Sequence, residues 1–578
     1  MTLVWIDWLI IGLFAIVTLG IGFYFRGQAG KDLSSFFLGG RNLPWWIVGT
    51  SMVATTFAAD TPLAVTEIVA KDGISGNWIW WNMLAGGMLT TFFFARYWRR
   101  AGVLTDVELI NIRYSGPEAG ILRVFRSVYF GVFMNVIIMA WVNTALKDLL
   151  IVFFEMEPMQ AYGVVIIAMF LVAAYTSLSG ILGVAYTDVL QFVLAMTGSI
   201  ILAVLVVNSD KVGGMTALQS KLPEGSLNFF PQIGGESAGS TLAIGLGTFL
   251  AYIGMQWWAS WYPGAEPGGG GYIVQRVMSA KDERHAVYST LFFQIAHYCL
   301  RPWPWIIVAL CAVVLYPDLA DPKHGYVEAM KEFLPTGLKG MMLAAFFAAY
   351  MSTISTHLNW GASYLVNDVY KDMKPDASQR QYVAASRLVT VGLTVIALVS
   401  SLFVTSIKDA WAFIIECGAG LGLVFILRWY WWRINAWSEI SATIAPFIFY
   451  GIAHFILKLA FPWSFFLTLG GTTITWLVVT FLTPPSEETV LQQFYDKVRP
   501  DGAWGPFNGG AGAGAGRLAR LAIIWLAAIS FAYSTLFLIG QVLFGNYGDA
   551  AISGAIALVS LALVLIFMRK ARLFEQQG

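Results

Sequence analysis

Long apolar stretches recur from one end of this chain to the other, separated by short basic or acidic connections. An α-helix needs roughly 20 apolar residues to cross the hydrocarbon of a bilayer. On that measure the pattern predicts about fifteen spans, at 4–25, 45–70, 76–98, 124–151, 160–181, 185–207, 241–263, 286–316, 338–367, 385–405, 411–431, 437–461, 463–483, 517–544 and 549–569. Lipid offers no hydrogen bonds, so each segment must satisfy its own backbone, which a helix does. The expected fold class is all-α, a polytopic membrane protein.

Two of these spans cannot be continuous. The second reads Ser51-Met-Val-Ala-Thr-Thr-Phe-Ala-Ala-Asp60-Thr-Pro62, and Pro62 removes a backbone donor and crowds the Ala58 carbonyl. The seventh runs into Trp258-Ala-Ser-Trp261-Tyr-Pro263-Gly-Ala-Glu266-Pro267 and then Gly268 to Gly271, which no helix survives. Two broken helices about 200 residues apart suggest paired repeats. Such breaks expose carbonyls and helix ends to ions and substrate at mid-membrane.

Composition narrows the picture. Of 578 residues, 58% are hydrophobic and 12% charged, and the mean hydropathy is +0.68, so lipid is the expected solvent. The 24 Trp, 23 Tyr and 41 Phe suit aromatic belts at the interfaces. A net charge of +1 gives no case for nucleic acid. Cys299, Cys311 and Cys417 lie in apolar runs without metal-ligand spacing, which argues against zinc and disulfides. His285, His297, His324, His357 and His454 lack the arrangement of paired axial ligands for a redox centre, and His297 and His357 read as core residues. No sensor domain is evident either.

Charge between the spans orients the chain. Arg26, Lys31 and Arg41, then Arg96, Arg99, Arg100, Arg113, Arg123 and Arg126, then Arg276, Lys281 and Arg284 all fall on one side if the N-terminus is outside. Lys371, Lys374, Arg380, Arg428, Arg433, Arg569, Lys570 and Arg572 join them. The positive-inside rule then places the C-terminus in the cytoplasm of a cell with the protein in its inner membrane. The first segment has no basic leader and no small-residue cleavage site, so it reads as a retained span. Residues 208–240 read as an external loop with little structure. Residues 484–516 hold an amphipathic segment (Val490, Leu491, Phe494, Tyr495, Val498) expected on the bilayer surface, then a flexible linker at Gly509–Gly516.

Polar groups inside spans are costly and mark function. Ser352, Thr353, Ser355 and Thr356 cluster in the ninth span beside small alanines, offering the neutral oxygens that suit sodium. Asp188, in Gly180-Ile-Leu-Gly183-Val-Ala-Tyr186-Thr187-Asp188, reads equally as a wetted helix-end carboxylate or as a neutraliser of a cation in the core.

Gly40-Arg41-Asn42-Leu43-Pro44-Trp45-Trp46, Tyr186-Thr187-Asp188, Tyr272-Ile-Val-Gln275-Arg276, Ser352-Thr353 through Asn359, and Asn367-Asp368-Val-Tyr370-Lys371, in this order, resemble the sodium/solute symporter family. The resemblance implies a LeuT-type core of two inverted five-helix repeats at 36–435. The first helix and loop at 1–35 precede it. Two helices at 436–483, the 484–516 segment and two helices at 517–578 follow. It implies no enzyme activity and no cofactor, with Na+ as coupling ion and a small organic solute and the bilayer as partners. By the same resemblance a first sodium would meet the carbonyls of Ala54, Phe57 and Ala349 and the hydroxyls of Ser352 and Thr353. A second would meet Asp188, Ser352, Ser355 and Thr356. The substrate candidates are Thr56, Asp60, Glu67, Asn82, Trp258, Trp261, Glu266 and Arg301, the last placed near the cytoplasmic start of its span. Aromatic faces beside carboxylates give a slight preference for a sugar or polyol. Alternatives are an amino acid, amine or carboxylate, and coupling to protons through Asp188 or Asp60.

Overall fold

A computed structural model of the chain describes residues 3–233, 243–244, 246–404, 407–508, 515–571 and 573–574. It is helical almost throughout; among the described residues the one pair of strands is a two-residue parallel bridge, Gln232–Ile233 with Ala243–Ile244. Ten described helices are long and apolar enough to cross a membrane.

The principal helices are α1 (Trp5–Ala29), α2 (Trp45–Thr55), α3 (Thr61–Asp72), α4 (74–101, short turns followed by a continuous helix over 84–101), α5 (Pro117–Phe154), α6 (Pro158–Val207), α7 (246–259), α8 (Gly271–Ser279) and α9 (Glu283–Leu315). The second half of the chain adds α10 (Leu338–Met373), α11 (Gln379–Ser401), α12 (Ile407–Cys417), α13 (Leu421–Tyr430), α14 (Ala436–Ile456), α15 (Trp463–Leu482), α16 (Glu488–Val498), α17 (Ala515–Leu543) and α18 (Tyr547–Lys570). The lipid-facing character of the outer members is direct: Trp5, Leu13 and Tyr24 of α1, and Leu558 and Val559 of α18, are largely exposed. α10, by contrast, is buried over almost its whole length.

Both predicted breaks are present. α2 ends at Thr55, and Pro62 sits in the first turn of α3, where a missing N–H costs nothing. Between α7 and α8 the chain runs non-helically from Ser260 to Gly270. Gly268 and Gly269 adopt φ of 77° and 79°, and a Cβ on Gly269 would lie 2.8 Å from Trp98 Nε1. The turn therefore needs glycine on both backbone and packing grounds. A third break, at residues 418–420, separates α12 from α13 and pairs with the second. Gly420 N–H donates to the Ala259 carbonyl at 2.9 Å, and Trp261 N–H to that of Gly418 at 3.1 Å.

α6 holds two predicted spans in one 50-residue stretch, joined at Gly180 (φ 54°, ψ −158°). Tyr175 and Thr187 hydroxyls meet at 2.5 Å, whereas twelve residues of straight helix would separate them by about 18 Å. The chain folds back on itself at a single residue.

Two expectations change. Residues 208–233 are not structureless: they contain the helix Met215–Lys221, and Trp78 Nε1 donates to the Phe229 carbonyl at 2.8 Å, because Leu218 and Phe229 have apolar neighbours to cover. The amphipathic α16 does not lie on lipid. Leu491, Phe494 and Val498 are buried against the protein, followed by a fully buried Trp504 that stacks on Phe494 and donates to the Trp429 carbonyl at 2.8 Å. Arg96 anchors this segment through Asp501 at 2.7 Å. Most of the expected Gly509–Gly516 linker lies outside the described residues. The last helices also have a place. α17 packs across α4 and α9, with Trp525 Nε1 donating to the Ala85 carbonyl and Tyr533 Oη to that of Trp81, each at 2.8 Å.

Candidate functional site

The break between α2 and α3 faces α10, and the expected sodium-binding oxygens gather there. Thr353 Oγ1 donates to the Thr55 carbonyl at 2.9 Å and to the Ala349 carbonyl at 3.2 Å. It thereby ties α10 to the last turn of α2. The Ala54 carbonyl accepts the Phe57 N–H at 3.0 Å, while the Phe57 carbonyl, within the break, accepts no hydrogen bond from the described residues. Ser352 Oγ lies one residue along α10 and donates to Asp188 Oδ1 at 2.6 Å. Carbonyl and hydroxyl oxygens at a helix break, without nitrogen or sulfur, are ligands for a hard cation.

Asp188 neutralises a cation in the core, and that cation is Arg276. Counted in the sequence among the basic loop residues, Arg276 instead sits on α8 with its side chain 2% exposed, facing Asp188 at 0%. The guanidinium donates through Nε to Ser51 Oγ at 2.7 Å. Through Nη2 it reaches Thr356 Oγ1 at 2.6 Å, Thr55 Oγ1 at 2.9 Å and Asp188 Oδ2 at 3.3 Å. Ser51 Oγ also donates to Asp188. Of the four residues expected around a second sodium, Asp188 and Thr356 bind this guanidinium directly and Ser352 binds Asp188. Ser355 Oγ turns back to the Ser352 carbonyl at 3.1 Å. The Arg276 guanidinium therefore sits among the residues expected to hold a second sodium.

Beside these oxygens lies a cavity of about 110 Å³, whose lining includes Thr56, Asp60, Trp80, Trp141, Tyr262, Tyr272, His297, Arg301, Thr353, His357 and Trp411. Thr353 thus borders both the cavity and the oxygen cluster. Thr56 Oγ1 donates to the carbonyls of Met52 and Val53 at 3.1 and 3.0 Å. The same oxygen accepts from Arg301 Nη1 at 3.1 Å and meets His297 Nδ1 at 2.8 Å. Arg301 Nη2 lies 3.3 Å from His297 Nε2. A guanidinium can only donate, so Nε2 accepts, and the network assigns the proton to Nδ1 of a neutral imidazole.

Of the eight substrate candidates, Thr56, Asp60 and Arg301 reach this cavity. Arg301 is in the middle of α9 rather than at its start, because the helix runs unbroken through a wide turn at Ala296–Leu300 before Pro302. Glu67 pairs with Lys71 at 2.5 Å on a partly exposed turn. Asn82 donates to the Trp78 and Ile79 carbonyls of its own helix. Trp258 donates to the Gly254 carbonyl and is only partly buried. Trp261 and Glu266 line a separate void of about 10 Å³ with Asp106, Arg126, Tyr364 and Arg428. Tyr272 borders the larger space and Trp360 the smaller, their ring centroids 6.2 Å apart. The sequence reading missed Trp80, Trp141, Tyr262 and Trp411, whose aromatic character matches the belts it assigned generally. It also left His297 and His357 in the core.

The chain matches known proteins along most of its length. The model of the "Sodium:solute symporter family" matches residues 36–445. A sodium/glucose cotransporter of Vibrio parahaemolyticus is 25% identical over 77% of this chain and 84% of its own. The sodium/myo-inositol cotransporter 2 of Mus musculus is 23% identical over 79% and 70%. Among solved structures, a Na+-coupled sialic acid symporter in a substrate-bound outward-open state superposes with a TM-score of 0.69, at 20% identity, over 84% of this chain and 99% of that one.

Proposed function

The chain belongs to the sodium:solute symporter family, and from that premise we propose that it imports a small organic solute through alternating access, driven by sodium held where the α2 break meets α10. It is a multi-pass membrane protein and a transporter, not an enzyme. The orientation expected from its loops, N-terminus outside and C-terminus cytoplasmic in the inner membrane, belongs to this reading.

The observation that carries it is the position of Thr353. One side chain borders both the oxygens of Thr55 and Ala349 and the main cavity. An ion drawing on Ala54, Phe57, Ala349, Ser352 and Thr353 would order the wall against which the solute packs. Coupling of this kind is reciprocal: whatever sodium does for solute affinity, the solute does for sodium. Arg276 already fills the neighbouring carboxylate site, which favours one sodium per cycle. One charge crossing 100 mV supplies about 2.3 kcal/mol, roughly 50-fold accumulation of a solute without net charge.

The relatives named above carry glucose and myo-inositol by their names, and Trp80, Trp141 and Trp411 offer stacking faces for a sugar ring. The deciding experiment on coupling measures the melting temperature of the purified protein in sodium and in choline, with Ser352→Ala and Thr353→Val beside the parent. A sodium-dependent rise that both substitutions reduce supports the reading. Equal stability in the two salts, with stabilisation on acidification instead, would replace sodium by protons.

A further inference from the structure

The main cavity contains two opposite charges, Asp60 and Arg301, that make no ion-pair contact with each other or with any other described residue. Asp60 is 3% exposed and Arg301 1%, and both line the space. Neither makes an ion pair among the described residues, unlike the buried Asp188–Arg276 and Arg126–Glu439 pairs of the same core. Asp60 Oδ1 and Arg301 Nε also lack hydrogen-bond partners. The neighbours of the Arg301 guanidinium are the Val53 carbonyl, the Thr56 hydroxyl and the neutral His297 ring, which orient it without cancelling its charge.

We propose that the transported solute is a zwitterion, a small molecule bearing both a carboxylate and an ammonium group, with its carboxylate at Arg301 and its ammonium at Asp60. This rests on the cavity being the solute site of the symporter proposed above. Buried charge is tolerated when paired and costly when not. A neutral polyol would leave Asp60 and Arg301 to act on each other only across the cavity, with no counter-charge in contact with either. An organic anion would satisfy Arg301 and leave Asp60, and an amine would do the reverse. Only a zwitterion neutralises both, and it keeps the net charge of the loaded cavity unchanged. The break itself agrees. Asp60 directly precedes the first turn of α3, so a side-chain carboxylate already takes the place next to that positive helix end. A solute carboxylate is thereby directed across the cavity to the guanidinium. The aromatic walls suit an alkylated ammonium as well as a primary one.

The test uses the purified full-length protein in sodium and in choline buffer. The probes are pooled α-amino acids, β-amino acids and betaines, and the hydroxy acids and amines that correspond to each with one charge removed. Glucose and myo-inositol are added separately. The expected result is a stabilisation by at least one zwitterion pool that its single-charge counterparts do not reproduce. Arg301→Gln should weaken half-saturation for that zwitterion about 10- to 100-fold, as expected for one charge-assisted contact. Asp60→Asn should shift preference toward the hydroxy acid. The sodium-induced stabilisation retained in each variant checks that it has folded, and Arg301→Lys should recover part of the loss. Stabilisation by glucose, myo-inositol or a single-charge compound, with none by any zwitterion, overturns the proposal and leaves the symporter reading standing. So does stabilisation by sodium with no response to any pool. If sodium itself has no effect, the coupling reading fails, and the same panel in choline at lowered pH still decides the charge class.

Discussion

Arg276→Gln tests whether the guanidinium on α8 stands in for an ion. The substitution removes donors to Ser51, Thr55, Thr356 and Asp188 at 2.6–3.3 Å and leaves a fully buried carboxylate with only its two serine donors. Breaking a buried pair from one side costs about 3–5 kcal/mol. Two hydroxyl donors remain on Asp188 and glutamine restores part of the contact, so about 3 kcal/mol is expected in choline. Sodium should then enter the vacated place, because Asp188 and the hydroxyls of Ser51, Thr55, Ser352 and Thr356 form an all-oxygen set. At 100 times its dissociation constant it would return about 2.7 kcal/mol. The assay is equilibrium unfolding in mixed micelles, in choline and in sodium, for the parent, Arg276→Gln, Asp188→Asn and the double variant. The double variant should be more stable than the sum of single losses allows, by about 2 kcal/mol, and should lose the extra sodium response. Additivity within about 0.5 kcal/mol, or an Arg276→Gln protein as stable in choline as the parent, would refute the ion-pair reasoning.

Three further outcomes follow from packing and bonding. Thr353→Val removes the hydroxyl shared by the Thr55 and Ala349 carbonyls; it should cost about 1 kcal/mol of stability and raise the sodium concentration for half-maximal uptake about tenfold. Trp504→Ala empties a fully buried indole site, an expected loss of about 3–5 kcal/mol, with faster amide exchange across α16 as the local readout; unchanged exchange would show that the segment does not depend on this anchor. Gly540→Leu would place a Cβ 2.0 Å from Trp303 Cη2, so the docking of α17 on α9 should weaken by about 1–3 kcal/mol, measured as a lowered melting temperature of the full chain.

The broken helices and the α10 hydroxyls were legible because their signals are local: Pro62, the Gly268–Gly271 run and four hydroxyl residues in five positions constrain backbone or chemistry wherever they occur. Arg276 was not. Loop counting registers an arginine near a span end as interfacial, and only the packing of α8 against α2 and α10 shows that its side chain points inward. Trp261 and Glu266 line a different void for a related reason. They are close in sequence to the cavity-lining Tyr262 and Gly264, but the irregular chain turns them to the other side of Tyr272 and Trp360. Periodicity assigns faces within a helix and says nothing inside a break. α16 shows the same limit, since its apolar stripe suits lipid and protein equally and the deciding partners, Trp429 and Arg96, are far away in sequence.

The one-residue reversal at Gly180 bears on how the chain is made. With no connecting loop between the two arms of α6, the second arm has no independent threading step during synthesis; the arms must partition into lipid together, as a preformed hairpin. The reversal is also closed to added atoms, since a Cβ at Gly180 would lie 2.5 Å from the Phe36 carbonyl oxygen. An epitope or reporter inserted there should therefore abolish accumulation in the membrane, while one placed in the exposed Asn546–Tyr547 connection should be carried. Among the places where a topology tag is tempting, this one-residue turn is the one that biogenesis can least spare.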